Sequence, residues 1–330
     1  MVNRSRLKIF TWHIHGSYLF YLSQGNYDIY IPTNEKKNEG YYGRGETFPF
    51  GENVIEVPAE EVRNLQFDCI LFQTNTNYLV DQYEILSKEQ QQLPRIYLEH
   101  DPPRVHPTDT RHIMTDPNVM FVHVTAFNRL MWDNGAVKTR VIEHGVLPSA
   151  IPYTGELAKG IVVINNLPAR GRLLGLDLFL KARKEVELDL VGMGTGDLGS
   201  GEVLHPQLPK FISQFRFFFN PIRYTSFGLA VCEAMMSGMP IVAMATTEMV
   251  TVIEDGKNGF VDTDLDYLID RMKLLINDKD LAMNLGAEAR RTAMKRFGIE
   301  RFVSDWSDIF QEAIQQTENA PRALSLSHSV

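Results

Sequence analysis

Short runs of β-branched and aromatic residues recur along almost the whole chain, separated by longer stretches with helical spacing. Strands divided by helices return to the same sheet edge in parallel, so this alternation predicts an α/β fold. In the first half the runs are LKIFTW, YDIYIP, NVIEVP, CILFQT, RIYLEH, MFVHV and TRVIEHG, with NYLVDQYEILSKEQQQ and TAFNRLMWDNG as helical stretches between them. The pattern breaks into proline and small polar residues at LPSAIPYTGELAK. It then restarts with GIVVIN, ELDLVG, RFFFNP, PIVAM and GFVDT, and closes on three helical stretches. The break marks a domain boundary. Residues 1–148 are expected to form one doubly wound, Rossmann-like domain and 149–300 a second. A closing helix, 301–318, is free to return to the first domain, and a polar tail, 319–330, is expected to be disordered. Two such domains in tandem leave a central cleft, and ligands of these sheets bind outside the carboxyl ends of the strands.

A chain of 330 residues has mass for two cores. Its net charge of −8 argues against nucleic acid as a partner, which calls for a basic face. The two cysteines, Cys69 and Cys232, sit in apolar runs far apart without metal-ligand spacing, as expected of core thiols in a reducing compartment. No apolar run approaches the roughly 20 residues that span a bilayer, and the first residues lead directly into a strand. A cytoplasmic protein is expected, with a peripheral place at the inner membrane face if its substrate is a lipid.

The stretch RYTSFGLAVCEAMMSGMP, Arg223 to Pro240, sets one carboxylate, Glu233, among apolar and small residues. An isolated buried carboxylate costs several kcal/mol, so Glu233 has either a partner inside the protein or one that arrives from outside. Gly228 stands where the strand RFFFNP gives way to this helix. A glycine there lets free amides of a helix N-terminus approach a phosphate, and a carboxylate one turn later can accept hydrogen bonds from a vicinal diol.

SFGLAVCEAMMSGMPIVA, with the later VIEDGKNGFV and RFGIERF, resembles the carboxyl-terminal domain of retaining glycosyltransferases of the GT-B fold, the large family-4-like group. In the first half, TWHIHGSY and FVHVTAFNRLMWDNGAVKTRVIEHGV are similar to further passages of that group. The resemblance implies a nucleotide diphosphate sugar as donor, an acceptor hydroxyl, and no cofactor or metal. By position, Glu233 matches the second glutamate of the group's E-x7-E motif, which holds the donor ribose. Phe227, Gly228 and Leu229 match the segment whose amides meet the donor. His100, in YLEHDPPR, matches a histidine that contacts the donor sugar, which makes His100 and Glu233 the candidate catalytic residues. Gly16 matches the glycine loop that lets the diphosphate approach the backbone.

Three departures stand out. Thr225 replaces the first glutamate of the motif, and Thr246 and Thr247 replace a glycine pair. With Ser226, these residues form either a neutral, hydroxyl-rich donor pocket or a set of caps on nearby backbone. The group's diphosphate-binding lysine falls at Leu174, leaving Arg170 and Arg172 as the expected diphosphate contacts, for which guanidinium is well shaped.

His13 and His15 lack a third ligand at metal-binding spacing, and VGMGTG, Val191 to Gly196, ends a strand without the acidic residue of a dinucleotide site. The segment NEGYYGRGETFPFGEN is expected to shape the acceptor site. The reading is thus a retaining glycosyltransferase, with a nucleotide-sugar-binding protein that has lost catalysis, or a GT-B epimerase, as alternatives.

Overall fold

Each of the seven strand-like runs of the first half becomes a strand in a computed structural model of the chain, which describes residues 6–319. The expected tail falls outside this range apart from Asn319. The strands are β1 (Leu7–Thr11), β2 (Tyr27–Thr33), β3 (Val54–Pro58), β4 (Cys69–Phe72), β5 (Arg95–Glu99), β6 (Val119–His123) and β7 (Thr139–Val141). They form one parallel sheet in the order β3-β2-β1-β4-β5-β6-β7. The second half supplies β8 (Leu157–Val163), β9 (Leu188–Val191), β10 (Phe215–Asn220), β11 (Ile241–Met244) and β12 (Gly259–Asp262), again all parallel, in the order β12-β11-β10-β8-β9. This is the GT-B arrangement of two α/β domains.

Both faces of each sheet are buried, which is why the strands read as nearly continuous apolar runs. In the first sheet Phe10, Ile70, Phe72 and Phe121 pack on one side, while Ile9, Leu71, Ile96 and Val122 pack on the other. The second sheet divides Phe217, Phe219 and Val242 from Phe218, Ile241 and Ala243 in the same way. Cys69 and Cys232 are fully buried, and burial pushes both thiols up.

The helix Ile299–Asn319 packs back on the first domain. Its Trp306 indole donates to Tyr18 Oη at 3.0 Å, Phe310 meets Tyr27 edge-on, and Arg140 pairs with Glu312. No helix among the described residues is long and apolar enough to cross a membrane.

NYLVDQYEILSKEQQQ does not form one helix. It breaks into a π turn at Asn77–Asp81, a short helix at Gln82–Ile85 and a 3-10 turn at Gln90–Gln92. Ser87 and Gln90 explain the break: the Gln90 amide donates to Ser87 Oγ while the Ser87 amide donates to Gln90 Oε1, a reciprocal capping box that restarts the chain.

Candidate functional site

Each sheet reverses its strand order once, between β1 and β4 in the first domain and between β8 and β10 in the second. The crevices of doubly wound sheets open at these points. Two cavities lie there. One, of about 330 Å³, sits between the domains and is lined by Asn165, Gly192 and Gly228, which follow β8, β9 and β10, and by Ser17, Phe48 and His205. The other, of about 460 Å³, lies over the first sheet and draws on Gln73 after β4 and on Glu99 and Asp101 at the end of β5. His15 and His100 line both cavities.

The helix Leu229–Ser237 aims its amino end at the interdomain cavity, where Gly228, Leu229 and Ala230 form part of the wall. Its first amides have no acceptor within the helix, and its dipole favours an anion there. The helix ends at Gly238, whose left-handed φ of +91° permits the cap bonds to the Ala234 and Met235 carbonyls. Gly228 itself has an ordinary extended backbone, and a side chain there would meet nothing within 4 Å. Space in the cavity, rather than conformation, is what this glycine provides.

Glu233 lines the same cavity. Its Oε1 accepts a hydrogen bond of 2.8 Å from Tyr21 Oη of the first domain, and His205 Nε2 lies 3.2 Å from that oxygen. Burial, and after it the charge of Glu233, pushes the Tyr21 phenol up, so it remains a donor. Glu233 therefore has partners within the protein and also faces a cavity from which others can arrive.

His100 is held by a chain of groups with fixed roles. The Gln73 amide nitrogen donates to the Trp12 carbonyl at 2.9 Å, which turns Gln73 Oε1 toward His100 Nε2 at 3.1 Å. Nε2 must therefore carry the hydrogen, leaving Nδ1 as a lone-pair acceptor with no partner among the described residues. Burial, with His15 and His144 adding to it, keeps the ring neutral. The His15 ring packs on it at a tilt of 49°, with ring centroids 4.0 Å apart. His144 donates from Nε2 to the Phe227 carbonyl at 2.7 Å, and burial pushes it down to about 4.

Other contacts close the cleft. Asn128 donates to Ser226 Oγ, the Phe127 amide to Glu248 Oε2, and Tyr224 Oη to the Pro103 carbonyl. Glu248 is fixed from behind by Arg296, which also chelates Glu143 of the connection between the domains.

Several expected site residues lie elsewhere. Thr225, Ser226, Thr246 and Thr247 are not among the residues that line the interdomain cavity. Ser226 is engaged by Asn128, and the Thr246 hydroxyl donates to the Ile222 carbonyl at 2.7 Å, which makes it a backbone cap. Thr247 keeps a left-handed φ of +53°, the backbone expected of the glycine it replaces. The Phe227 side chain is core, stacked on Phe297, and only its backbone is near the site.

Arg172 stands outside the cavity. It is three-quarters exposed and paired with Asp177, which is also chelated by Arg223. Arg170, likewise outside the cavity wall, is exposed on the same loop, with no ion-pair partner among the described residues and with Arg104 and Asp101 of the first domain as charged influences. Leu174 is in the core. At Gly16 the room above the backbone is taken by the Phe48 ring, which leaves its neighbours His15 and Ser17 to face the cavity. His13 and His15 part company: His13 Nδ1 donates to the Gly43 carbonyl at 2.5 Å and pins the long loop. Among the described residues no group of three or more His, Cys, Asp or Glu is placed to hold a metal.

Tyr21 and His205 escaped the sequence reading. His205 lies in GEVLHPQLPKF, which has no periodic pattern, and Tyr21 looks like one aromatic among many in a core helix.

Residues 159–278, which carry the Glu233 helix and the whole second sheet, match the family described as Glycosyl transferases group 1. This part of the chain is similar to group 1 glycosyltransferase domains. It is 29% identical over 96 residues to N-acetyl-alpha-D-glucosaminyl L-malate synthase of Bacillus anthracis, a stretch covering 28% of this chain and 25% of that protein. The chain thus matches only about a quarter of that relative's length. In structure it is similar to sucrose-phosphate synthase from Thermosynechococcus elongatus, with a TM-score of 0.68 over 94% of this chain and 100% of that one at 13% identity. Anabaena HepE in complex with UDP and glucose gives a TM-score of 0.61 over 93% and 100% of the two chains, at 12% identity. These two likenesses concern the fold.

Proposed function

We propose that the chain is a retaining glycosyltransferase that moves a sugar from a nucleoside diphosphate to an acceptor hydroxyl, in the synthesis of a glycan, glycolipid or surface polysaccharide. The observation that carries this reading is the shared cavity: the Glu233 carboxylate and the amide end of its helix face one space between the domains. Glu233 accepts from the ribose hydroxyls, and the Leu229 and Ala230 amides receive the diphosphate. Arg170 approaches the diphosphate from the loop after β8.

His100 stands where the two cavities meet, with Nδ1 as acceptor for a hydroxyl of the transferred sugar. The bond from the anomeric carbon to the phosphate oxygen breaks, and the bond to the acceptor oxygen forms on the same face. The acceptor proton passes to the departing phosphate oxygen. Charge stabilisation and positioning in a closed cleft lower the barrier, and no step calls on a metal. The names of the relatives support this reading, as does the UDP and glucose named for HepE.

Leu174 and Thr225 favour a second reading, nucleotide-sugar binding without transfer, because neither brings the charge of the residue it replaces. Incubation with UDP-, GDP- and ADP-sugars separates the two. Acceptor-dependent release of nucleoside diphosphate, with the anomeric configuration kept in the product by proton NMR, is expected. Binding of a nucleotide sugar without release supports the second reading.

A further inference from the structure

The cavity over the first sheet has its own chemistry. Its 460 Å³ lies within the roughly 300–1,000 Å³ of small-molecule sites. Three carboxylates, Glu39, Glu99 and Asp101, face it with one guanidinium, Arg104. Asp101 pairs with Arg104 at 2.5 Å. Glu99 is an acceptor with a fixed role. The Met114 amide donates to His112 Nδ1, so His112 Nε2 carries the hydrogen and donates to Glu99 Oε2 at 2.8 Å. Glu39, on the loop between β2 and β3, has no ion-pair partner among the described residues. His100, nine-tenths buried, lines this cavity as it does the interdomain one. The polar groups facing this space therefore lean toward acceptors and negative charge.

Acceptors in excess call for a ligand rich in donors, and uncompensated carboxylates repel an anion in a partly enclosed site. Building on the transferase reading above, we infer that this cavity takes the acceptor, and that the acceptor group bound there is a neutral polyhydroxyl unit rather than a phosphorylated or carboxylated one. Glu39 is the specificity-determining residue, because its charge is offset by no partner.

Trp132 lines this cavity, whereas Trp12 and Trp306, the other two tryptophans, are fully buried. Its fluorescence is the probe. The chain is titrated with glycerol, glucose and N-acetylglucosamine, and in parallel with glycerol 3-phosphate and glucose 6-phosphate. At least one neutral compound is expected to change the emission saturably, with a dissociation constant at least tenfold below that of any phosphate ester. The change should be absent in Trp132→Phe, and the preference should shrink or reverse in Glu39→Lys, an exposed site where the substitution leaves the fold intact. Phosphate esters binding as tightly as the neutral compounds would overturn the inference. So would a panel that leaves the emission unchanged, a response that persists in Trp132→Phe, or an unaltered preference in Glu39→Lys. Nucleotide binding, read on the same samples from thermal stability, tests the transferase reading separately: if nucleotides bind and the panel does not, only the acceptor inference falls.

Discussion

Tyr21 of the first domain donates a 2.8 Å hydrogen bond to Glu233 of the second, across the cleft the two sheets face. The bond gives this carboxylate, which His205 also approaches at 3.2 Å, a donor from the facing domain, and it helps hold the domains together. In the proposed complex the ribose hydroxyls take over this acceptor. Tyr21→Phe is therefore expected to destabilise the free protein by about 1.5–3 kcal/mol, the range for a hydrogen bond to a charged group. The stabilisation on adding nucleotide should grow by a similar amount. Thermal unfolding of both proteins with and without nucleotide checks this; an unchanged or smaller nucleotide effect in the variant counts against it.

Gly228 separates folding from binding. Its backbone suits any residue and its Cα faces open space, so Gly228→Ala should change stability by less than about 1 kcal/mol, mostly through the loss of a good cap residue. The added methyl points into the interdomain cavity, and nucleotide affinity should fall at least tenfold. Calorimetric titration measures the affinity, and unchanged binding would show that the ligand lies elsewhere.

The buried histidines set a pH limit on the fold. Burial pushes His123 and His144 down to about 4 from 6.5, and lowers His13 and His100 as well. Each binds a proton more readily in the unfolded chain than in the native one. Stability is thus complete above pH 6.5 and declines as the pH falls toward 4, with His123 and His144 each contributing on the order of 3 kcal/mol across that window. Unfolding midpoints measured from pH 7.5 to 4.5 should drop steeply below 6.5. A flat profile down to pH 5 would contradict the burial of these rings.

The fold was legible because parallel strands buried on both faces announce themselves as apolar runs, and all twelve fell where such runs lie. Glu233 was legible for the opposite reason, as one charge in an apolar helix. Its partners were not, since Tyr21 and His205 lie 212 and 28 residues away and belong to segments that look like core or irregular loop. The sequence left the threonines open between ligand and cap because a hydroxyl beside a strand end serves either, and for Thr246 the bond to Ile222 shows a cap. Nothing local in the sequence reveals that Arg172 pairs with Asp177, five residues on.

The central claim is that Glu233 holds a nucleotide in the interdomain cavity. Its most direct test is thermal unfolding of the wild-type chain and of Glu233→Gln against UDP, GDP and ADP. At about a hundredfold above the dissociation constant, a bound nucleotide adds roughly 2.7 kcal/mol and raises the midpoint by several degrees. One nucleotide should stabilise the wild type by this amount and Glu233→Gln by much less. Equal stabilisation of the two proteins, or none by any nucleotide in a folded wild type, would contradict the assignment.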